Sequence, residues 1–245
     1  METVIRIDGL SKRYADGWGR KGNHVLLDLS MKVTAGQVLG VCGGNGSGKS
    51  TLLKILCGLL TDFEGEVVVG ETKPAQAAHR GQIGFVPERP SFPSHYSPRR
   101  FLAFMGKLSD LEAGACKERI DPILQQVGLL DQADKKISTL SKGAVQRLSM
   151  AQALLHDPQV IIADEPMDGL DPLACQKTEQ VFRSLADEGK TVLVATHLLD
   201  GLEELCDQLL VLHKGRSLFQ GEPQFEEGLK QWLLSRLGSE VLSHG

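Results

Sequence analysis

The stretch Gly43-Gly44-Asn45-Gly46-Ser47-Gly48-Lys49-Ser50-Thr51 constrains the fold of this chain more than any other. It follows an apolar run, Val38-Leu39-Gly40-Val41-Cys42, and precedes a segment in which Leu52, Ile55, Leu56 and Leu59 recur at helical spacing and Gly58 marks the end. The local order is therefore strand, glycine turn, helix, the context in which a G-x-x-x-x-G-K-[ST] pattern carries meaning. Glycines let the backbone curl until successive N–H groups converge on an anion, and the helix N-terminus adds its positive dipole end. Lys49 supplies a charge for the outer phosphates of a nucleotide and Ser50 a hydroxyl for Mg²⁺.

A second constellation lies at Val160-Ile161-Ile162-Ala163-Asp164-Glu165, an apolar strand ending in two carboxylates. In open α/β sheets the carboxyl ends of parallel strands are where ligands bind. Asp164 is suited to complete a Mg²⁺ shell, and Glu165 to orient or deprotonate an attacking water. Read alone, the same pair also fits a solvated strand end or a helix cap.

The rest of the chain gives short strands at Thr3–Asp8, Val25–Val33, Gln37–Cys42, Gly65–Val69 and Gln82–Val86. Prolines 87, 90, 93 and 98 exclude a continuous helix there, and residues 98–156 then read as an all-helical insertion, with its last helix starting near Ser141. Phe101, Phe104, Met105 and Leu108 form one apolar stripe of that insertion, and Ile120, Ile123, Leu124 and Val127 another. From Gln159 strands alternate with helices: QVIIAD, a helix over Pro172–Asp187, TVLVAT, a helix over Leu198–Leu205, and QLLVLH. That alternation implies right-handed crossovers and a mainly parallel sheet. The segment from Glu222 to Leu242 is amphipathic, with Phe225, Leu229, Trp232 and Leu233 on its apolar side. The expectation is one domain over 1–225, its helical subdomain over about 88–156, and a short helical tail over 222–245.

Composition excludes several classes. With 27 Lys+Arg against 31 Asp+Glu, a net charge of −4 offers no general attraction to nucleic acid or anionic lipid. Basic side chains are not interleaved with aromatics, so no nucleic-acid partner is expected. The 5 cysteines are widely spaced, with no C-x-x-C, which suits a reducing cytoplasm rather than a disulfide framework. Neither a secretory signal nor a membrane span is expected, since the most apolar stretch, Leu52–Leu60, is interrupted by Lys54.

Together these motifs make the chain resemble the nucleotide-binding subunit of an ATP-binding cassette (ABC) transporter from about residue 3 to residue 220. Gly43–Thr51 matches the family's Walker A motif and Val160–Glu165 its Walker B. Pro166-Met167-Asp168-Gly169-Leu170-Asp171-Pro172 resembles the D-loop, and Ala195-Thr196-His197 the switch histidine. Tyr14 matches the aromatic platform for adenine, although the segment after it is long and Trp18 offers an equivalent π-face. The resemblance implies a RecA-like P-loop NTPase core with an N-terminal antiparallel β subdomain and an inserted α-helical subdomain. It also implies ATP hydrolysis with Mg²⁺, with Lys49, Glu165 and His197 at the γ-phosphate and Ser50, Asp164 and Glu88 near the metal.

Two positions depart from the usual family pattern. Where the family has Leu-Ser-Gly-Gly-Gln, this chain has Leu140-Ser141-Lys142-Gly143-Ala144, keeping Ser141 and Gly143. Where it more often has glutamine, this chain has Glu88 after Pro87. Within the family the two changes occur together in the exporter-type branch, which implies export. Because Ser141 and Gly143 would complete the site of an opposite cassette, with Asp171 near the junction, the resemblance further implies a homodimer or a paralogous pair. It implies separate membrane subunits docked near residues 88–100, and a peripheral place on the cytoplasmic face of the membrane. The competing expectation is a soluble cassette ATPase acting on a protein or nucleic-acid assembly, such as iron-sulfur cluster assembly. That member is of similar length but lacks the Ser-Lys-Gly segment.

Overall fold

The computed structural model describes residues 2–15, 21–76, 78–109 and 112–237. The chain opens with two antiparallel strands, β1 (Thr3–Ala15) and β2 (Lys21–Thr34). Both run beyond the expected Thr3–Asp8 and Val25–Val33, because repeated register shifts let the polar outer stretch stay paired where strict alternation has ended. After β3 (Val38–Cys42), the glycine turn and α1 (Lys49–Leu56), strand β4 (Glu64–Val69) returns to the other edge of β1. These strands make a three-stranded sheet in the order β2-β1-β4.

The remaining elements run α2 (His79–Gln82), β5 (Ile83–Val86), α3 (Pro98–Leu108), α4 (Ala113–Gln126) and α5 (Lys142–Leu154), with single 3-10 turns at Leu130–Gln132 and Ile137–Thr139. Then come β6 (Val160–Asp164), α6 (Pro172–Asp187), β7 (Thr191–Thr196), α7 (Leu202–Leu205), β8 (Gln208–His213), β9 (Arg216–Gly221) and α8 (Leu229–Leu237). The second sheet has the order β5-β6-β7-β3-β8-β9, parallel except for its last strand. The chain is thus an α/β protein with a mainly parallel sheet, an antiparallel sheet near the N-terminus and a helical stretch inserted between β5 and β6.

Helix starts follow local chemistry. Ser97, Ser141 and Asp171 cap α3, α5 and α6, each side-chain oxygen accepting from the backbone N–H three residues on, and proline occupies the first position of α3 and α6. The central strands are buried on both faces, as parallel strands covered on both sides must be. Ile161, Ala163, Val192 and Val194 face a core shared with the helical stretch, while Ile162, Leu193 and Ala195 face a core shared with α1 and the three-stranded sheet.

The structure departs from the sequence reading at three further places. The helix expected over Leu198–Leu205 spans only Leu202–Leu205, because Gly201 is left-handed at φ 81° and Leu198 N–H is taken by Thr196 Oγ1. Strand β9 carried no strong sequence signal, being a half-exposed edge; a tight turn with both Lys214 (φ 47°) and Gly215 (φ 80°) left-handed folds it onto β8. In the stripe of α3, Phe101 is core, but Phe104 and Leu108 are exposed. The tail's Phe225 and Trp232 pack with Phe219 on the main body. No helix among the described residues is long and apolar enough to cross a membrane.

Candidate functional site

The loops after β3 and β6 and the residue after β7 meet at the carboxyl edge of the large sheet, since β7 lies between β3 and β6. There they line a cavity of about 450 Å³. Asn45, Gly46, Ser47, Gly48, Lys49, Ser50 and Thr51 form one wall, and Glu88, Asp164, Glu165 and His197 the other.

The glycine turn is shaped by what lies behind it. Gly48 sits at φ 112°, and a Cβ there would come within 2.7 Å of Leu26 and 2.8 Å of the Val25 carbonyl. Behind the loop, Gly215 N–H donates to Ser47 O (3.0 Å), so the β8–β9 turn acts as a strut for it. On the cavity side Gly44 and Gly46 have no protein atom where a Cβ would point, leaving a cradle open to a ligand. Ser47 Oγ is buried without a protein partner, a donor left for an anion seated in that cradle. Lys49 is only 7% exposed; its ammonium donates to Gly43 O (2.6 Å) and lies 3.9 Å from Glu165 Oε1.

The opposite wall is acidic. Glu165 has a left-handed backbone, φ 45°, unusual for a residue with a long side chain. Its N–H donates to Ala195 O (2.8 Å), its carbonyl accepts from Asp168 N–H (3.1 Å), and its Oε2 accepts from the backbone N–H of His197 (3.0 Å). His197 Nδ1 lies 2.9 Å from that oxygen. Burial, then the neighbouring charges of Glu165 and Glu88, push the Asp164 carboxyl above its ordinary range. Glu88 is paired with Arg89 at 3.0 Å. No cluster of three or more metal-ligating side chains is preformed among the described residues. A crowded carboxylate beside an exposed Ser50 nevertheless suits Mg²⁺, which is commonly held by one or two carboxylates together with substrate phosphates.

Other predicted residues lie elsewhere. Tyr14 does not line the cavity; it is 43% exposed, with its hydroxyl 3.5 Å from Thr51 Oγ1 and Lys12 Nζ 5.2 Å from its ring centre. Trp18 lies outside the described residues. Ser141, Gly143 and Asp171 are grouped at the starts of α5 and α6, away from this cavity. A Cβ on Gly143 would come within 2.9 Å of Ala174, and the buried Arg147 reaches toward both Gly143 and Asp171. Lys142 Nζ lies 3.9 Å from Asp168 Oδ2. Sequence reasoning missed Val25, Arg89 and Asp168 as lining residues. Val25 is an ordinary strand valine with no local signal, whereas Asp168 belongs to the segment that resembles the D-loop but was given no site role of its own.

A strand-loop-helix phosphate cradle facing a carboxylate pair at the edge of a parallel sheet defines a P-loop nucleotide-binding ATPase. The ABC transporter family matches residues 26–168, and the chain belongs to that family as an ATP-binding cassette. It is 38% identical over 221 residues to the Nod factor export ATP-binding protein I of Burkholderia lata, covering 89% of this chain and 71% of that one. It is 37% identical over 225 residues to the protein of the same name in Sinorhizobium fredii, covering 91% of this chain but 64% of the relative's length. Among solved structures it is similar to cbiO1 from Clostridium perfringens, described as part of the ABC transporter complex cbiONQ, with a TM-score of 0.84, 28% identity, and coverage of 97% of this chain and 96% of that one.

Proposed function

We propose that the chain hydrolyses ATP in the cavity between the glycine turn and Glu165, and that hydrolysis powers export of a substrate through separate membrane subunits. The observation that carries the catalytic part is Glu165: a carboxylate kept in a strained backbone conformation, aimed into a phosphate cradle and fastened to His197. In this reading the backbone N–H groups of Asn45–Ser50 and the Lys49 ammonium hold the β- and γ-phosphates, with Ser47 Oγ as a further donor. Glu165 orients the attacking water and takes its proton, while the His197 backbone N–H fixes the carboxylate and its ring donates to the γ-phosphate. Ser50, Asp164 and Glu88 would hold Mg²⁺, which would supply neutralisation of the phosphate charge. Tyr14 stands outside the cavity lining, its hydroxyl 3.5 Å from Thr51 Oγ1, and in this reading offers its exposed ring to the adenine.

Export is supported by the names of the relatives and by the paired departures at Lys142 and Glu88. Ser141, Gly143 and Asp171, grouped away from the chain's own phosphate cradle, suit a head-to-tail pair of cassettes in which each completes the other's site. A cavity of about 460 Å³ beside Glu88, lined by Phe85, Pro87, Phe92 and Met105, suits docking of a membrane subunit. The chain would then sit peripherally on the cytoplasmic face, residues 1–225 forming the ATPase unit with its helical part at 88–156 and residues 222–245 a tail.

The test is affinity purification of the Glu165→Gln variant with ATP and Mg²⁺ from detergent-solubilised cells, with mass spectrometry of what is retained. A multispanning membrane protein in stoichiometric amount is the expected result. Soluble partners alone, from a preparation that still binds ATP, would overturn the transport reading and favour an assembly ATPase.

A further inference from the structure

Away from the nucleotide cavity, a pit of about 390 Å³ opens between α3 and α4. Its origin is steric. At Gly106 the two helices meet so closely that a Cβ would overlap Cys116 Sγ, and one turn earlier the facing side chain is only the methyl of Ala103, leaving the space beside it unfilled. Ala103, Cys116 and Ile120 form the floor, with Cys116 and Ile120 5% and 3% exposed.

Its rim is cationic. Arg99, Arg100, Lys107 and Lys117 surround the opening, with Asp121 as the single acid. Asp121 is taken by Arg99, which also binds Asp134. Arg100 lies 5.5 Å from the ring centre of Tyr96, and Lys107 and Lys117 have no ion pair among the described residues. With Arg99 offset by its acids, Arg100, Lys107 and Lys117 leave a positive rim about an apolar floor, a local field opposed to the chain's net charge of −4.

We propose that this pit binds a single-chain anionic amphiphile, an alkyl carboxylate of medium length. The apolar floor accepts the tail, and the lysine stems extend that apolar surface while their ammonium groups meet the head. Sugars and nucleotides are disfavoured, because hydroxyls pressed on Ala103, Cys116 and Ile120 would go unpaired. The volume lies near the low end of the range for small-molecule sites, about 300–1,000 Å³, which favours one chain over a diacyl lipid.

Calorimetric titration of the full chain with sodium decanoate, below its micelle-forming concentration, tests the proposal. Saturable 1:1 binding is expected, with decanol at least about tenfold weaker, as loss of the head charge requires. Lys107→Glu/Lys117→Glu should weaken decanoate by at least about tenfold, and Ala103→Leu, which fills the pit, by a similar factor. Binding of a fluorescent ATP analogue, unchanged in each variant, reports an intact fold; if the double variant loses it, Ala103→Leu and Lys117→Gln carry the test. No saturable binding up to about 1 mM, equal binding in parent and folded variants, or association only with phosphatidylglycerol vesicles would overturn the proposal.

Discussion

Replacing Glu165 by glutamine separates the chemical role of this residue from its structural one. A glutamine keeps the side-chain length and can still accept from His197 N–H through its amide oxygen, so the 3.0 Å bond that fastens the residue to the β7 end is preserved. What is lost is the negative charge and the ability to take a proton. Loss of a positioned general base slows the chemical step by about 10²–10⁴-fold. The carboxylate also engages Lys49 at 3.9 Å, with both side chains largely buried. If that contact is worth about 1 kcal/mol, near the upper end for exposed pairs, freeing the ammonium tightens ATP binding by about fivefold. The two effects have opposite signs and are read separately, turnover by phosphate release at saturating ATP and affinity by equilibrium titration of a fluorescent analogue. Turnover within about tenfold of the parent would remove Glu165 from the base role, because no other loss of that size is available from so conservative a change. Weaker ATP binding would show that Lys49 depends on the carboxylate for its position, contrary to the anchoring bond it makes to Gly43 O.

Lys49→Ala should act on affinity instead: a buried ammonium that meets phosphate directly contributes about 1.5–3 kcal/mol, so ATP binding should weaken by about ten- to a hundredfold in the same titration. Normal affinity would contradict the phosphate-cradle assignment. Asp164→Asn should raise the melting temperature of the nucleotide-free protein at pH 7 while abolishing Mg²⁺-dependent turnover. The Asp164 carboxyl is held above its ordinary range, so its charge costs stability once pH exceeds the unfolded value near about 4; the melting advantage must shrink as pH falls toward that value and persist above it. Gly106→Ala places a methyl where Cys116 Sγ lies and should destabilise the chain by about 1–3 kcal/mol in chemical denaturation, with Cys116→Ala in the same chain recovering part of the loss.

By itself the sequence determined the α/β class, the glycine turn between strand and helix, and the carboxylate-ended strand, because each rests on local chemistry: glycine freedom, helical and strand periodicity, and capping. Pro172–Asp187, Thr191–Thr196 and Gln208–His213 were legible to the residue for that reason, the first marked by its cap and the two strands by short apolar runs whose centres are buried. Local chemistry does not say which distant segments share a cavity; the family resemblance implied the grouping, and the strand order supplies its physical cause. Glu88, Asp164 and His197 come together because β5, β6 and β7 lie side by side with β3 next in the sheet, an order that no local pattern encodes. The left-handed backbone of Glu165 depends on its bond to Ala195 O across the sheet, and the strut beneath the phosphate turn on a half-exposed hairpin with no periodic signal. The pit between α3 and α4 likewise follows from how closely Gly106 lets two helices approach, a packing distance that becomes definite only once both helices are placed.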